Sequence, residues 1–196
     1  MDIEIEAKFL DINPDDFKKV LENTGAKLIH EERLMIRNNF DFPDARLEKI
    51  GGWVRVRDEG DRINLSYKRL VDRTLDGMQE ITVEVNNFKK TCDFLLAVGF
   101  DQRSSYETKR EKWDMSGVEI TIDTWPWIPT FIEIEGTNEQ ELKKVVGKLG
   151  LDWKQALFGS VEIAYQRYYN VCEEEIDNWE EIKFIPTPDW LEIKRK

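Results

Sequence analysis

The chain has 196 residues, which is enough for one large domain with a hydrophobic core of its own. Hydrophobic residues make up 40% and charged residues 35%, and no apolar run reaches the roughly 20 residues that a membrane span needs. The formal net charge of −11 disfavours an anionic membrane or a nucleic-acid duplex as a partner. The first residues show no signal-peptide pattern, and Cys92 and Cys172 are predicted to be reduced core thiols, so we expect a cytoplasmic location. The single histidine, His30, offers little basis for Ser-His or Cys-His catalysis.

The first predicted strand, residues 4–8, alternates charged and apolar side chains. Successive side chains of a strand point to opposite faces, so Glu4, Glu6 and Lys8 share one face while Ile5 and Ala7 share the other. Alone, such a strand is typical of the solvent-facing side of an ordinary sheet. It becomes informative when later strands repeat the pattern with complementary charges.

Three amphipathic helices are predicted, each beginning at an asparagine and ending before a glycine. They cover residues 13–24, 87–98 and 138–149. A further helix is predicted over residues 160–169, followed by an acidic tail with a last strand near residues 183–185.

The other predicted strands repeat the alternation, at residues 27–39, 53–57, 63–71, 79–85, 105–114, 118–124 and 131–135. Their polar faces carry acids in some strands and bases in others. With the first strand, the acids are Glu4, Glu6, Glu80, Glu84, Asp123, Glu133 and Glu135, and the bases are Lys8, Arg55, Arg57, Lys68 and Arg110.

Seven or eight alternating strands fit both a sandwich and a closed barrel. The opposite faces are so rich in Ile, Val and Leu that they are predicted to be buried against helices. A sheet that closes with its apolar side outward then turns its charged side toward a lumen. Buried charges cost several kcal/mol per ion unless they are paired or neutralised by ligands. Separate acidic and basic arrays suit a divalent cation and a polyanion bound together. The alternative is an exposed sheet face with weak cross-strand ion pairs.

This ordered set of charged residues resembles the CYTH superfamily, the triphosphate tunnel metalloenzymes. Residues 4–8 match the family's ExExK signature, and the resemblance continues through the other charged positions, in the family's order, over about residues 1–170. It implies an α+β fold: a closed eight-stranded antiparallel β-barrel, the triphosphate tunnel, with helices packed outside. Residues 1–170 are expected to form this domain, and residues 171–196 an extension that packs on it or completes it.

The resemblance also implies roles for individual residues. Ligands of Mg²⁺ or Mn²⁺ are expected to be Glu4, Glu6, Asp123, Glu133 and Glu135. Phosphate groups are expected to bind Lys8, Arg55, Arg57, Lys68 and Arg110, of which Lys68 and Arg57 are assigned as catalytic. Further candidates are Glu84, Glu80 and Lys109. One departure is Thr108, where many members carry lysine; whether the neighbouring Lys109 replaces that phosphate contact stays open.

The family includes tripolyphosphatases, thiamine-triphosphatases, RNA triphosphatases and class IV adenylate cyclases, so several functions remain open. The first is metal-dependent hydrolysis of a phosphoanhydride of tripolyphosphate or a nucleoside triphosphate. The second is an adenylate cyclase that converts ATP to cyclic AMP and pyrophosphate. It needs an adenine site, for which Trp125, Trp127 or Phe42 could stack on the base, unless these aromatics plug one end of the barrel. The third is a non-catalytic binder of triphosphate or polyphosphate, or an interaction module that uses the tail after Tyr169. A homodimer is also considered.

Overall fold

The computed structural model describes the backbone of residues 2–196 and the side chains of residues 5–196. Within that range the strands are β1 (Asp2–Phe9), β2 (Lys27–Asp41), β3 (Gly52–Asp58), β4 (Ile63–Leu70), β5 (Met78–Val85), β6 (Asp101–Met115), β7 (Val118–Thr124), β8 (Phe131–Gly136) and β9 (Glu181–Ile182). The first eight pair antiparallel in the order β2-β3-β4-β5-β1-β8-β7-β6, and β6 pairs in turn with β2. The two-residue β9 runs parallel to β6.

The helices in the same range are α1 (Pro14–Asn23), α2 (Phe88–Ala97), α3 (Glu139–Lys148), α4 (Glu162–Tyr168), α5 (Glu173–Asp177) and α6 (Asp189–Glu192). The predicted cap at Asn13 is confirmed, and Asn87 and Asn138 cap the next two helices in the same way. The side chains of Asn13, Asn87 and Asn138 each accept a hydrogen bond of 2.8–3.0 Å from the backbone amide three residues later. Such caps satisfy an otherwise unpaired donor and contribute about 1 kcal/mol each. None of the helices within residues 2–196 combines the length and the apolar composition of a membrane-spanning helix.

The hydrophobic core lies between the outer face of the sheet and the helices. Outer-face residues of β7 and β8, such as Ile120 and Ile134, are fully buried in one cluster with residues of α1 and α3. A second cluster joins Val56 of β3 to Cys92 and Leu95 of α2. Because these apolar faces are covered by helices, the charged faces of the same strands turn to the concave side. The prediction of eight antiparallel strands with helices on their apolar side is confirmed.

Three details of the sequence prediction are wrong. The last strand is β9, which begins two residues before the predicted position because Ser105 of β6 bonds the carbonyl of Glu180. Cys172 is an exposed residue just before α5, whereas Cys92 is buried as predicted. The outer face of β5 is not buried, since Ile81 and Val83 are 50% and 52% exposed. The helix α2 packs against β3 instead.

Candidate functional site

The concave side of the sheet surrounds a cavity of about 670 Å³ to which all eight long strands contribute side chains. The charges in its wall are segregated by strand. The adjacent strands β2, β3 and β4 carry a group that we call the basic arc, composed of Arg37, Arg55, Arg57 and Lys68. The adjacent strands β5, β1, β8 and β7 carry the acidic arc, composed of Glu80, Glu6, Glu133, Glu135 and Glu119. Lys8 lies within the acidic arc, and β6 adds Arg110 and Lys112 where the two arcs meet.

One contact between the arcs runs through Glu80. Its carboxylate lies 3.0 Å from the ammonium of Lys68 and 3.4 Å from the guanidinium of Arg55. Arg55 and Lys68 are only 7% and 8% exposed. A buried cation is costly unless a counter-charge or a ligand compensates it, and Glu80 supplies one negative charge beside these two cations.

The acidic arc is held together by an ion-pair network centred on Glu133. The ammonium of Lys8 donates to Glu133 at 2.9 Å and to Glu6 at 2.8 Å. The guanidinium of Arg110 donates to Glu133 at 2.7 Å and, through two bonds of 2.6 and 2.8 Å, to Asp123. Burial alone would raise the pKa of Glu133, but Lys8 and Arg110 hold it well below its usual range. Burial, followed by the neighbouring Glu133 carboxylate, raises the pKa of Glu6 well above its usual value.

The donor chemistry of the acidic arc fits a divalent cation. Glu6, Glu133 and Glu135 offer carboxylate oxygens, the ligands that Mg²⁺ and Mn²⁺ prefer. Burial, and then the carboxylates of Glu119 and Glu133, raise the pKa of Glu135, so an added positive charge would relieve mutual repulsion here. Among the described residues, no group of three or more acidic, His or Cys side chains forms a ready-made metal site. Lys8 instead contacts two of the donors.

The other predicted site residues are distributed unevenly. Glu4 lies outside the side chains that the structure describes. Asp123 is 1% exposed and lies behind Arg110, with Thr121 also donating to it at 2.7 Å. Glu84 is exposed at the end of β5.

Lys109 points away from the cavity. Its ammonium lies 3.6 Å from Glu32 and 5.3 Å from the ring centre of Phe184. Of the three further candidates, only Glu80 lines the cavity.

Arg57 lines the cavity and forms an ion pair with Glu59, which also binds Arg62 at 2.8 Å. Burial opposes ionisation of Glu59, but these two guanidinium groups lower its pKa to about 2. The carboxylate of Glu59 therefore anchors Arg57 in the wall of the cavity.

Residues of the cavity wall that sequence reasoning did not assign to the site include Arg37, Trp53, Lys112 and Glu119. Trp53 and Glu119 share strand faces with the predicted Arg55 and Asp123, so alternation alone could have found them. Arg37 was harder to find, because β2 carries polar side chains on both faces and its alternation is not visible.

The aromatic loop after β7 packs against the C-terminal segment. Trp125 is 6% exposed in a cluster with Tyr165 and Trp179, and the indole nitrogen of Trp127 donates to the carbonyl of Ile185 at 3.0 Å. Phe42 stacks on a phenylalanine, Phe100, with ring centres 4.1 Å apart. These contacts favour the packing interpretation over adenine stacking for Trp127 and Phe42, whereas Trp125 packs in the same cluster and also lines the cavity.

A partly buried acid that lines the cavity gives a prediction for stability. Glu162 of α4 has one carboxylate oxygen buried without a hydrogen-bond partner among the described residues. Burial, and then Asp177 and Glu173 against a weaker opposing effect of Arg73, raise its pKa to about 7. The folded protein therefore holds this proton more tightly than the unfolded chain, and this group destabilises the fold as the pH rises from about 4.5 to 7.

We expect Glu162→Gln to stabilise the protein by about 1–2 kcal/mol at pH 8 and to have little effect near pH 5. The value is less than the full pKa shift because the side chain is partly exposed. Urea unfolding at both pH values measures the difference, with Glu174→Gln, an exposed acid of α5, as the control. Equal stabilities of Glu162→Gln and the unmodified protein at pH 8 would contradict this prediction.

The fold class is a curled antiparallel sheet with basic and acidic side chains converging on its concave side. The chain belongs to the CYTH domain family, because its sequence matches the family model over residues 2–169. Members of this family are in general metal-dependent enzymes that act on triphosphate substrates.

Several solved structures share the fold. A candidate adenylate cyclase from Vibrio parahaemolyticus superposes with a TM-score of 0.72 at 14% identity, covering 84% of this chain and 98% of its own. A Pyrococcus horikoshii protein superposes with a TM-score of 0.65 at 21% identity, covering 79% and 94%. A candidate adenylyl cyclase from Hippeastrum, described as having a dominant triphosphatase activity, superposes with a TM-score of 0.56 at 16% identity, covering 85% and 95%. None of the curated proteins compared with this sequence matches it.

Proposed function

We propose that this protein is a divalent-metal-dependent triphosphatase that hydrolyses a phosphoanhydride bond of tripolyphosphate or a nucleoside triphosphate. The observation that carries the proposal is the segregation of charge around one cavity, with the basic arc on β2–β4 and the acidic arc on β5, β1, β8 and β7. A polyanion alone needs only the basic arc. The carboxylates of the acidic arc would bind a divalent cation that accompanies the polyanion.

The proposed site is the lumen of a closed eight-stranded barrel. Its support is the pairing of β6 with both β7 and β2, which leaves each of the eight long strands with two neighbours. We also propose that residues 171–196 complete the same domain as residues 1–170, since Trp179 and Ile182 are buried in one cluster with Trp125. A cytoplasmic location and a homodimer stay predictions.

The side chains suit charge stabilisation more than covalent chemistry. Arg55, Arg57 and Lys68 would bind non-bridging phosphate oxygens, with the guanidinium groups matching two oxygens at once. In the reaction, water attacks the terminal phosphorus, the bond to the bridging oxygen breaks, and orthophosphate and the shortened phosphate chain leave. Lys68 and Arg57 are the proposed catalytic residues, because positive charge beside the transferring group stabilises the charge that its oxygens carry.

The proposed metal ligands are Glu6, Glu133 and Glu135, together with Glu4 from the first strand and Asp123 if it leaves Arg110. A bound Mg²⁺ or Mn²⁺ would polarise the phosphoryl oxygens. Lys8 contacts both Glu6 and Glu133 and lines the cavity, so its ammonium lies beside two of the proposed metal ligands and is also proposed to bind the phosphate chain.

An adenylate cyclase is the second candidate, and one observation favours it. Trp53 lines the cavity on the same face as Arg55, so an indole ring is available to an organic group attached to the phosphate chain. The same ring would serve equally for hydrolysis of a nucleoside triphosphate. The candidate adenylyl cyclase from Hippeastrum that is described as mainly a triphosphatase supports placing hydrolysis first.

The decisive experiment incubates the protein with tripolyphosphate, ATP, GTP or thiamine triphosphate in Mg²⁺, Mn²⁺ or EDTA. Orthophosphate release is measured, and mass spectrometry detects cyclic AMP and pyrophosphate in the ATP samples. We expect metal-dependent release of orthophosphate and no cyclic AMP.

Two other results would reject hydrolysis. Equimolar cyclic AMP and pyrophosphate without orthophosphate would establish the cyclase instead. Tight calorimetric binding of tripolyphosphate without any turnover would establish the non-catalytic binder.

A further inference from the structure

Arg37 on β2 is a buried cation whose charge the surrounding side chains leave uncompensated. The residue is 9% exposed and lines the cavity beside Asn39. Among the described side chains, no carboxylate lies within ion-pair distance of its guanidinium. Its Nε atom is buried and has no hydrogen-bond partner among the described residues. Desolvation of such a charge costs several kcal/mol, so its retention calls for a ligand or a structural reason.

The electrostatic surroundings of Arg37 favour an anion. Its strand pairs with β3 so that Arg37 lies directly opposite Arg57. Burial, and then the positive charges of Arg55, Arg57 and Arg110, lower the pKa of Arg37 well below its usual value, and Asp123 opposes this only weakly. Arg55, Arg57 and Arg110 each form an ion pair with a carboxylate, whereas among the described residues Arg37 forms none, so Arg37 is the member of this group whose charge an anion would neutralise.

The guanidinium is held in place by two neutral contacts. Its Nη2 atom donates to the hydroxyl of Thr108 at 2.9 Å, and the group lies 4.6 Å from the ring centre of Trp125. Neither contact neutralises the charge, but together they orient the group while its Nε atom stays available. Such pre-orientation lowers the cost of binding an anion.

We propose that Arg37 is a further phosphate-binding residue of the cavity, and that it supplies from β2 the positive charge that Thr108 does not. This inference rests on the proposed triphosphate site. Thr108 lies on β6 beside the Arg37 guanidinium, whereas Lys109 points away from the cavity toward Glu32. The guanidinium from the neighbouring strand therefore occupies the place that a lysine at position 108 would reach.

The test measures calorimetric binding of tripolyphosphate in EDTA together with the melting temperature of the free protein. Arg37→Met keeps the aliphatic stem against Trp125 and removes the charge. We expect its dissociation constant to rise about 10- to 100-fold, because one charge-assisted contact is lost. The melting temperature of the free protein should stay the same or rise, since repulsion among the arginines is reduced.

Two further variants sharpen the result. Thr108→Lys, added to Arg37→Met, should recover most of the lost affinity, because an ammonium at position 108 returns the charge to the same place. Arg167→Met, at an exposed arginine that pairs with Asp11, is the control and should bind as the unmodified protein does.

Three results would overturn the inference while leaving the proposed function intact. The first is unchanged binding by Arg37→Met. The second is weaker binding with a lower melting temperature of the free protein and no recovery by Thr108→Lys, which would indicate a structural role. The third is that Lys109→Met weakens the binding of tripolyphosphate and Arg37→Met does not. Absence of binding and turnover in the unmodified protein, with or without metal, would reject the proposed function itself.

Discussion

Replacing Glu133 with glutamine is expected to lower metal-dependent phosphate release by about 100-fold. The change removes a proposed metal ligand and also the carboxylate that contacts both Lys8 and Arg110. Glutamine keeps the shape and one acceptor oxygen but not the negative charge. Initial rates over a Mn²⁺ titration measure the effect, and the apparent affinity for the metal should fall as well.

The matched control for this prediction is Glu139→Gln. That residue lies on the outside of α3 and pairs with Lys143, so its charge does not reach the cavity. We expect the control to keep the unmodified rate. Glu133→Gln removes the partner of buried cations, so the free energy of unfolding should also fall by a few kcal/mol. Circular dichroism and urea unfolding measure this loss of stability separately from the loss of rate. Equal rates for the two variants would show that Glu133 is not part of the active centre.

Trp179→Ala is expected to destabilise the protein by about 3–5 kcal/mol, because it leaves a large void in a packed aromatic cluster. The indole of Trp179 is 7% exposed, and its ring centre lies 5.1 Å from that of Tyr165 and 6.1 Å from that of Trp127. Its backbone carbonyl accepts a hydrogen bond from Tyr106 of β6 at 3.1 Å. Both the side chain and the backbone of Trp179 therefore join the C-terminal segment to the rest of the fold.

Thermal unfolding measures this effect, with a decrease in melting temperature of roughly 10 °C expected for a protein of this size. Trp190→Ala is the matched control, since that tryptophan belongs to the same group of rings but is 45% exposed. It should cost less than half as much. If both variants have the same melting temperature as the unmodified protein, residues 171–196 do not complete the domain as we propose.

Much of the fold follows from local patterns. Alternating charge predicted the strands that carry Glu6, Arg55 and Glu133. Apolar stripes ending at a glycine, with a capping asparagine at Asn13, predicted the three amphipathic helices. Both signals act over a few residues, because side-chain direction in a strand and capping of a helix depend on near neighbours. The CYTH resemblance was readable for the same reason, since its charged positions lie on inward faces of predictable strands.

The parts that were missed depend on contacts between distant residues. The exposed outer face of β5 depends on where α2 packs, and the position of β9 depends on a backbone bond to Ser105. Lys109 and Thr108 are adjacent in sequence, yet only Thr108 faces inward. Neighbouring residues of a strand must face opposite ways, so Lys109 cannot replace an inward lysine at position 108.

The sequence by itself determined that two sets of charges, acids such as Glu6 and bases such as Arg55, lie on single faces of strands. Only the tertiary structure decided how those faces are ordered around a cavity. It also decided that Lys8 and Arg110 both form ion pairs with Glu133. It also brought Arg37 beside Thr108, although 70 residues of sequence lie between them. The physical reason is that strand pairing joins segments remote in the chain, and the register of those pairs sets which side chains share the cavity.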